Sequence, residues 1–260
     1  MTASVIASSD FHYDVILCSY NGGEYISEQL TSIVTQSIQP QKVVLSDDGS
    51  TDNTISIAER FMREYSEIEL IIIKGPGFGP SANFLSALKY ITSEYVFFSD
   101  QDDVWERHKV SSYEKYIKLH SKCKAQLYFS DSLLVDKSLK PIGKTHLEFL
   151  GVRPDEKAKS SILFSNYVQG ATICLNNELV SLLRTDIERH GFSGIVIHDW
   201  WCALVAFKFG ELIFINKPLI KYRQHDNNVI GCARRPIFGK KMLSMFLKFK
   251  QLIRLFAFSV

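Results

Sequence analysis

Two periods run along this chain. Short apolar stretches bounded by turn formers predict strands at Tyr13 to Ser19, Lys42 to Ser46, Ile68 to Ile73 and Tyr95 to Phe98. Between them apolar residues recur every three or four positions. Ile26, Leu30, Ile33, Val34 and Ile38 predict a helix closed by Pro40, and further helices are expected from Asn53 to Tyr65 and from Ser81 to Thr92. Strand, turn, helix and strand in repetition is the arrangement of an α/β domain whose parallel sheet is flanked by helices.

Beyond the fourth strand the pattern loosens. Trp105 to His120 has the spacing of a charged amphipathic helix, and Ala125 to Asp131 resumes strand character. Asp136 to Arg153 is polar, turn-rich and without a clear period, and Asp155 to Phe164 reads as a helix. Tyr167 to Leu175 reads as a strand entered through Gly170, with a helix from Asn176 to Arg189 after it. A helix opening at His198 runs to a stop at Gly210. Leu212 to Ile215 and Ile220 to Arg223 suggest a closing pair of short strands, and Arg223 to Asn228 a polar loop.

Candidate chemistry gathers at the carboxyl ends of the first strands, where open α/β sheets bind ligands. The fourth strand runs straight into Asp100, Asp102 and Asp103. Three carboxylates this close repel one another unless water or a cation screens them, so the cluster is either a solvated turn capping the next helix or a site for a hard metal ion. The second strand delivers Asp47 and Asp48, which stand before the next helix and favour a ligand role, while Thr51 or Asp52 is placed to cap that helix. Asn21-Gly-Gly after the first strand is a weak phosphate-loop signal. Asn83, in the first turn of its helix, reads as a local cap. Asp199 suits either an N-cap or catalysis. His225 alone reads as structural.

Composition bounds the picture. With 260 residues and 46% hydrophobic content the chain suits one large domain, or one domain with an appendage. Cys18, Cys123, Cys174, Cys202 and Cys232 show no CxxC or metal-finger spacing and read as reduced thiols. Met1 to His12 has no apolar signal core, and no run approaches the roughly 18 apolar residues of a membrane span, so a cytoplasmic protein is expected. The net charge of +2 is uneven: from Arg234 onward there are seven basic residues and no acidic one. There Met242, Met245, Phe246, Phe249, Leu252, Ile253 and Phe256 recur at helical spacing. A basic amphipathic helix of this kind suits an anionic membrane surface, or packing on the domain or on a second subunit. Confinement of the basic charge to one apolar tail argues against nucleic-acid binding.

Taken together, Cys18-Ser-Tyr-Asn-Gly, Ser46-Asp-Asp-Gly-Ser-Thr-Asp-Asn53, Ala82-Asn-Phe84, Phe98-Ser-Asp-Gln-Asp-Asp-Val-Trp105, Gln169-Gly170, His198-Asp-Trp200 and Tyr222-Arg-Gln-His225 resemble, in order, the motifs of the inverting glycosyltransferase family 2 and its rhamnosyltransferase-like branch. The resemblance covers about Tyr13 to Gly231 and implies a GT-A fold, a Rossmann-like mixed sheet flanked by helices, as a catalytic domain over 1–231 with an amphipathic tail over 232–260. It implies a nucleoside-diphosphate-sugar donor, first dTDP-rhamnose and second a UDP-hexose, and a glycan or lipid-linked glycan acceptor in surface-polysaccharide assembly.

Within that resemblance Ser19 and Asn21 line the nucleotide pocket, and Asp47 and Asp48 read base and ribose. Asp100 and Asp102 match the DxD motif and, with Asp103, hold Mg²⁺ or Mn²⁺. Asp199 stands at the catalytic base and His225 at the closing-loop histidine. Tyr20, Asn83, Gly170 and Trp200, carried by the matching stretches, join the substrate-binding set, and the helix expected over Asp155 to Phe164 walls off the acceptor cleft. The enzyme would work at the inner face of the cell membrane, with the basic tail against an anionic surface. Two rivals remain. A nucleotidyltransferase would need a basic Gly-rich triphosphate loop near the first strand, and none is seen. A non-catalytic nucleotide-sugar binder would have no need of the acidic cluster together with Asp199.

Overall fold

The computed structural model describes residues 10–120, 124–155, 159–225 and 249–258. The first half repeats strand and helix as the periodicity requires: β1 (Tyr13–Ser19), α1 (Ile26–Val34), β2 (Lys42–Asp47), α2 (Thr54–Glu64), β3 (Glu69–Lys74), α3 (Pro80–Ala87) and β4 (Tyr95–Ser99). These strands lie parallel in the order β3-β2-β1-β4. Alternate residues feed two cores. Tyr13, Val15 and Leu17 pack with α1, α2 and the helix at Lys109–Ile117 on one face, and Ile16 and Cys18 with α3 and the helices at Asn177–His190 and His198–Phe209 on the other. Cover on both faces is why these strands read as unbroken apolar runs.

The second half comprises β5 (Val104–Trp105), α4 (Lys109–Ile117), β6 (Ala125–Val135), β7 (Pro141–Thr145), α5 (His146–Leu150), β8 (Cys174–Asn176), α6 (Asn177–His190), α7 (His198–Phe209) and β9 (Gly210–Arg223). Beyond β4 the sheet continues β8-β6-β9-β5, with β7 paired to β6, and becomes mixed: β8 is antiparallel to β4 and β6, and β9 is parallel to β6.

Several expectations are corrected here. The helix expected from Trp105 begins only at Lys109. Val104 and Trp105 instead pair with Lys221 and Ile220, and Trp105 N donates to Ser32 Oγ at 3.0 Å. Tyr167 to Leu175 is not one strand. A 3₁₀ turn at Gly170–Thr172 interrupts it, and the carbonyls of Ala171 and Thr172 are taken by Lys109 Nζ and Tyr113 Oη rather than by a neighbouring strand. Of the helix expected over Asp155 to Phe164, Lys159–Leu163 form a short 3₁₀ turn, and residues 156–158 lie outside the described residues. The expected closing pair is one long strand, β9, whose register against β6 shifts around Pro218, a residue with no N–H to donate. Helix α1 ends at Val34, short of Ile38. The stretch without a period holds β7 and α5, the latter started by a Thr145/Glu148 capping box.

Residues 249–257 form a C-terminal helix whose Leu255 and Phe258 enter the core shared with α6 and α7. Burial of each contributes about 1.5–3 kcal/mol. Arg254 pairs with fully buried Asp186 at 2.7 Å, and Lys208 Nζ donates to the carbonyls of Leu255 and Phe258 at 2.8 and 2.6 Å. The described end of the tail therefore packs on the domain, leaving Phe249, Ile253 and Phe256 exposed. Met242, Met245 and Phe246, and likewise Cys123 and Cys232, lie outside the described residues. Among the described residues no helix is long and apolar enough to cross a membrane.

Candidate active site

The chain leaves β1 for β2 and β3 on one side and returns to β4 on the other, so the carboxyl ends of β1 and β4 flank a topological switch point, the usual ligand crevice of such sheets. On the β1–β2 side, Asp47 is buried and saturated. It accepts from Ser19 Oγ at 2.7 Å, Ser50 Oγ at 2.5 Å, and the amides of Gly49 and Ser50. Asp48 accepts from the amides of Gly77 and Gly79 at 2.6 and 2.9 Å and so holds the glycine-rich 74–80 loop. Both carboxylates build the rim of the crevice. Asn21 adopts φ 50°, a left-handed conformation Asn tolerates, and its Oδ1 accepts from Thr51 N at 2.8 Å. Tyr20 beside it is 60% exposed, an aromatic face open to a ligand. Asp52, expected as a cap, accepts from Thr54 N and Thr54 Oγ1 at the start of α2.

Asn83 is not a local cap. It is buried, donates from Nδ2 to Ser46 O at 2.9 Å and accepts from Ser46 Oγ, fastening α3 to β2.

On the β4 side the acidic cluster divides. Asp100 and Asp102 remain partly exposed, whereas Asp103 is fully enclosed. Asp103 Oδ1 accepts from Arg223 N at 3.1 Å, and Oδ2 has no hydrogen-bond partner among the described residues. Burial, with Asp102 and Asp100 nearby, holds the Asp103 proton well above the usual carboxylate range. Asp103 is the enclosed member of the cluster, on the floor of the site, and Asp100 and Asp102 are the carboxylates that open to the crevice. Burial, Asp102 and Asp199 push Asp100 up to about 7, and no described residue donates a hydrogen bond to its carboxylate. Asp102 Oδ2 pairs with His225 Nε2 at 2.9 Å, and the His225 ring stacks on Tyr25.

Residues from distant segments support this cluster. Arg223 is buried, donates to Asp102 O at 2.8 Å, pairs with Glu28 at 2.5 Å and lies over the Tyr25 ring. Lys109 is fully buried behind the acidic loop, 3.6 Å from the Trp105 ring centroid, and its charge opposes the upward shifts of Asp100 and Asp103. The Gln29 amide, oriented so that both ends are satisfied, accepts from Trp105 Nε1 at 3.1 Å and donates to Asp103 O.

Across the crevice, α7 opens with His198 and Asp199. The N-cap position is Ile197, so Asp199 is not the N-cap but stands in the first turn of the helix. Instead Asp199 Oδ1 accepts from Trp200 N at 2.5 Å and Asn166 Nδ2 at 2.9 Å, and the amide of Gly170 adds a further bond. Burial outweighs these bonds and raises Asp199 to about 7, so near neutrality it gains or loses a proton readily. Position 170 has room only for glycine: a Cβ there would lie 2.8 Å from His198 Nε2. The His198 ring stacks on Phe84 at 4.2 Å, and burial lowers it to about 3, so it is neutral. Trp200, expected at the substrate, is 2% exposed and its Nε1 donates to Ile162 O at 2.6 Å, which makes it a core anchor for the 159–163 turn.

A divalent cation fits the residues present. The donors at the mouth are hard carboxylate oxygens, and the repulsion that raises Asp100 is what a cation would relieve. Among the described residues no three acidic, His or Cys side chains converge on one point, so the cation would share its shell with water and a ligand's phosphates, as Mg²⁺ and Mn²⁺ commonly do.

Lys109, Arg223, Gln29 and Asn166 support this site without having been singled out from the sequence. No local spacing signals Lys109, because Trp105 belongs to β5 and α4 opens only at Lys109.

Residues 14–140 match the family model described as Glycosyl transferase family 2. Over 226 residues the chain is 30% identical to the dTDP-rhamnosyl transferase RfbG of Shigella flexneri, covering 83% of this chain and 73% of that protein. It is 26% identical to the cholesterol galactosyltransferase of Borreliella burgdorferi, over 79% of this chain but only 50% of that protein. S. aureus TarS 1–349 in complex with UDP-GlcNAc superposes with a TM-score of 0.65 at 18% identity, covering 94% of this chain and 67% of that one. The mannosyltransferase PcManGT of Pyrobaculum calidifontis, in complex with GDP-Man and Mn²⁺, gives 0.57 at 21% identity, covering 95% and 63%. These two likenesses establish a GT-A-like fold.

Proposed function

The chain belongs to glycosyltransferase family 2, and from that premise we propose that it moves rhamnose from dTDP-rhamnose to a glycan or lipid-linked glycan acceptor, with inversion, in surface-polysaccharide synthesis. The observation that carries the proposal is the approach of the first turn of α7 to the end of β4: the His198 ring lies 5.8 Å from that of Phe98, and the Asp199 charge adds to the upward shift of Asp100. A group able to take a proton near neutrality thus faces a pair of carboxylates suited to a cation and a diphosphate. The rhamnose assignment is supported by the Shigella relative alone.

In this reading the donor lies across the crevice, its nucleoside against Ser19, Tyr20 and Asn21 on the rim built by Asp47 and Asp48. Asp100 and Asp102 would hold Mg²⁺ or Mn²⁺, which when bound neutralises charge developing on the departing diphosphate. Asp199 takes the proton from the acceptor hydroxyl as that oxygen attacks the anomeric carbon opposite the leaving group, so one displacement inverts the configuration. Asn166 and the amides of Trp200 and Gly170 hold the carboxylate in place. Asp103, Arg223 and Lys109 position the acidic loop without touching substrate.

The donor is tested by following nucleoside diphosphate release from a panel of dTDP-, UDP- and GDP-sugars with Mn²⁺. Fastest release from dTDP-rhamnose is expected; fastest release from a UDP-hexose would reassign the sugar and leave the chemistry intact.

We further propose peripheral attachment at the inner face of the membrane. Phe249, Ile253 and Phe256 form an exposed stripe at helical spacing in a tail rich in Lys and Arg. Replacing all three by Ser is expected to reduce co-sedimentation with anionic liposomes. Unchanged co-sedimentation would assign the stripe to protein contact.

A further inference from the structure

Gln101 stands between the two expected cation ligands, and its side chain is committed elsewhere. Tyr20 N donates to Gln101 Oε1 at 2.9 Å, and Gln101 Nε2 donates back to Tyr20 O at 3.1 Å. The parallel ladder of β1 and β4 ends at Leu17 and Ser99, so this two-way amide pair adds a rung beyond the strands, across the switch-point crevice. Position 22 is shaped around it: a Cβ on Gly22 would lie 2.1 Å from Gln101 Oε1. Gly22 in turn starts α1, its carbonyl accepting from the amides of Tyr25 and Ile26 and its amide donating to Thr54 Oγ1 at 2.9 Å. The loop fastened by Gln101 therefore contains Tyr20 and Asn21, and the loop that carries Gln101 contains Asp100 and Asp102.

We propose that Gln101 is a positioning residue that couples the two halves of the donor site, so that a divalent cation on the Asp100–Asp102 loop tightens the hold of the Tyr20–Asn21 loop on a nucleoside diphosphate. The inference rests on the donor reading above. Coupling of this kind is reciprocal and has a measurable size, commonly about 5- to 150-fold in affinity. A residue that merely stabilised the fold would change nucleotide affinity equally with and without the cation.

The test is calorimetric titration of dTDP, UDP and GDP into the wild-type chain and into Gln101→Ala, Gly22→Ala and the double variant, each with Mn²⁺ and with EDTA. For the nucleotide that binds the wild type, Mn²⁺ is expected to tighten binding by about tenfold or more, and each single variant to cut that gain to roughly threefold or less while affinity in EDTA holds. The double variant is expected to be no worse than either single one, because both break the same pair. Full coupling retained in Gln101→Ala, or losses that add in the double variant, would overturn the proposal. A wild-type chain that bound none of the three nucleotides with Mn²⁺ would instead remove the donor reading itself, a failure visible before any variant is compared.

Discussion

Asp199→Asn is expected to lower kcat by about 10²- to 10⁴-fold while leaving the fold and donor affinity near wild type. The amide oxygen of Asn can still accept from Trp200 N and Asn166 Nδ2, so the local geometry survives and only the proton-accepting carboxylate is lost. The pH dependence follows from the same residue. Burial raises Asp199 to about 7, and a general base works deprotonated. With Mn²⁺ present, which would draw the neighbouring Asp100 back down, kcat/KM should climb as pH rises to about 7 and level off above it. The Asn variant should lose that limb. Stability moves the other way. The folded state holds the Asp199 proton where the unfolded state has released it, so the carboxyl's contribution is full below about 4 and declines as pH rises towards about 7. Between those limits the wild type should lose stability relative to Asp199→Asn, as urea melts at stepped pH will report. A kcat within threefold of wild type in the Asn variant would assign the base elsewhere.

Arg254→Ala should cost about 3–5 kcal/mol of unfolding free energy, because it leaves Asp186 buried without its guanidinium partner. Trp201 Nε1 still donates to Asp186 Oδ2 and His190 Nδ1 lies 3.1 Å from Oδ1, but neither replaces a guanidinium that also bonds to the carbonyls of Ser193 and Gly191. The same helix buries Leu255 and Phe258 against α6 and α7, whose first turn carries Asp199. Loss of the tail is therefore expected to act on stability before it acts on any surface, which is why point changes at Phe249, Ile253 and Phe256 test attachment more cleanly than truncation. A loss below about 0.5 kcal/mol would mean that the tail is not docked in solution.

The part of the fold that residues alone disclose is the part in which pattern and packing agree. Strands β1 to β4 are apolar on both faces and bounded by turn formers, so their ends, and the acidic groups on those ends, could be placed without a structure. Tyr167 to Leu175 has the same apolar run, yet it is mostly not strand, because Lys109 and Tyr113 reach in from α4 to satisfy its carbonyls. Long-range capping of this kind leaves no local period. Strand β9 was split by the same logic: Pro218 reads as a break, whereas in the sheet it marks a register shift. At the site, Asp100 and Asp102 follow a strand end, and Asp199 a helix start, that the pattern places. Trp200 is expected at the substrate, and only its burial returns it to the core. Lys109, Arg223, Gln101 and Asn166 act through partners far away in sequence, and spacing says nothing of those.

Whether a cation held at Asp100 and Asp102 serves the departure of a nucleoside diphosphate is read from donor hydrolysis, with water as a poor acceptor. Release of nucleoside diphosphate from the preferred donor is followed at saturating Mn²⁺ and again in EDTA. Slow release is expected with Mn²⁺, lost in EDTA and restored by adding the ion back. Release at the same rate in EDTA would contradict that role.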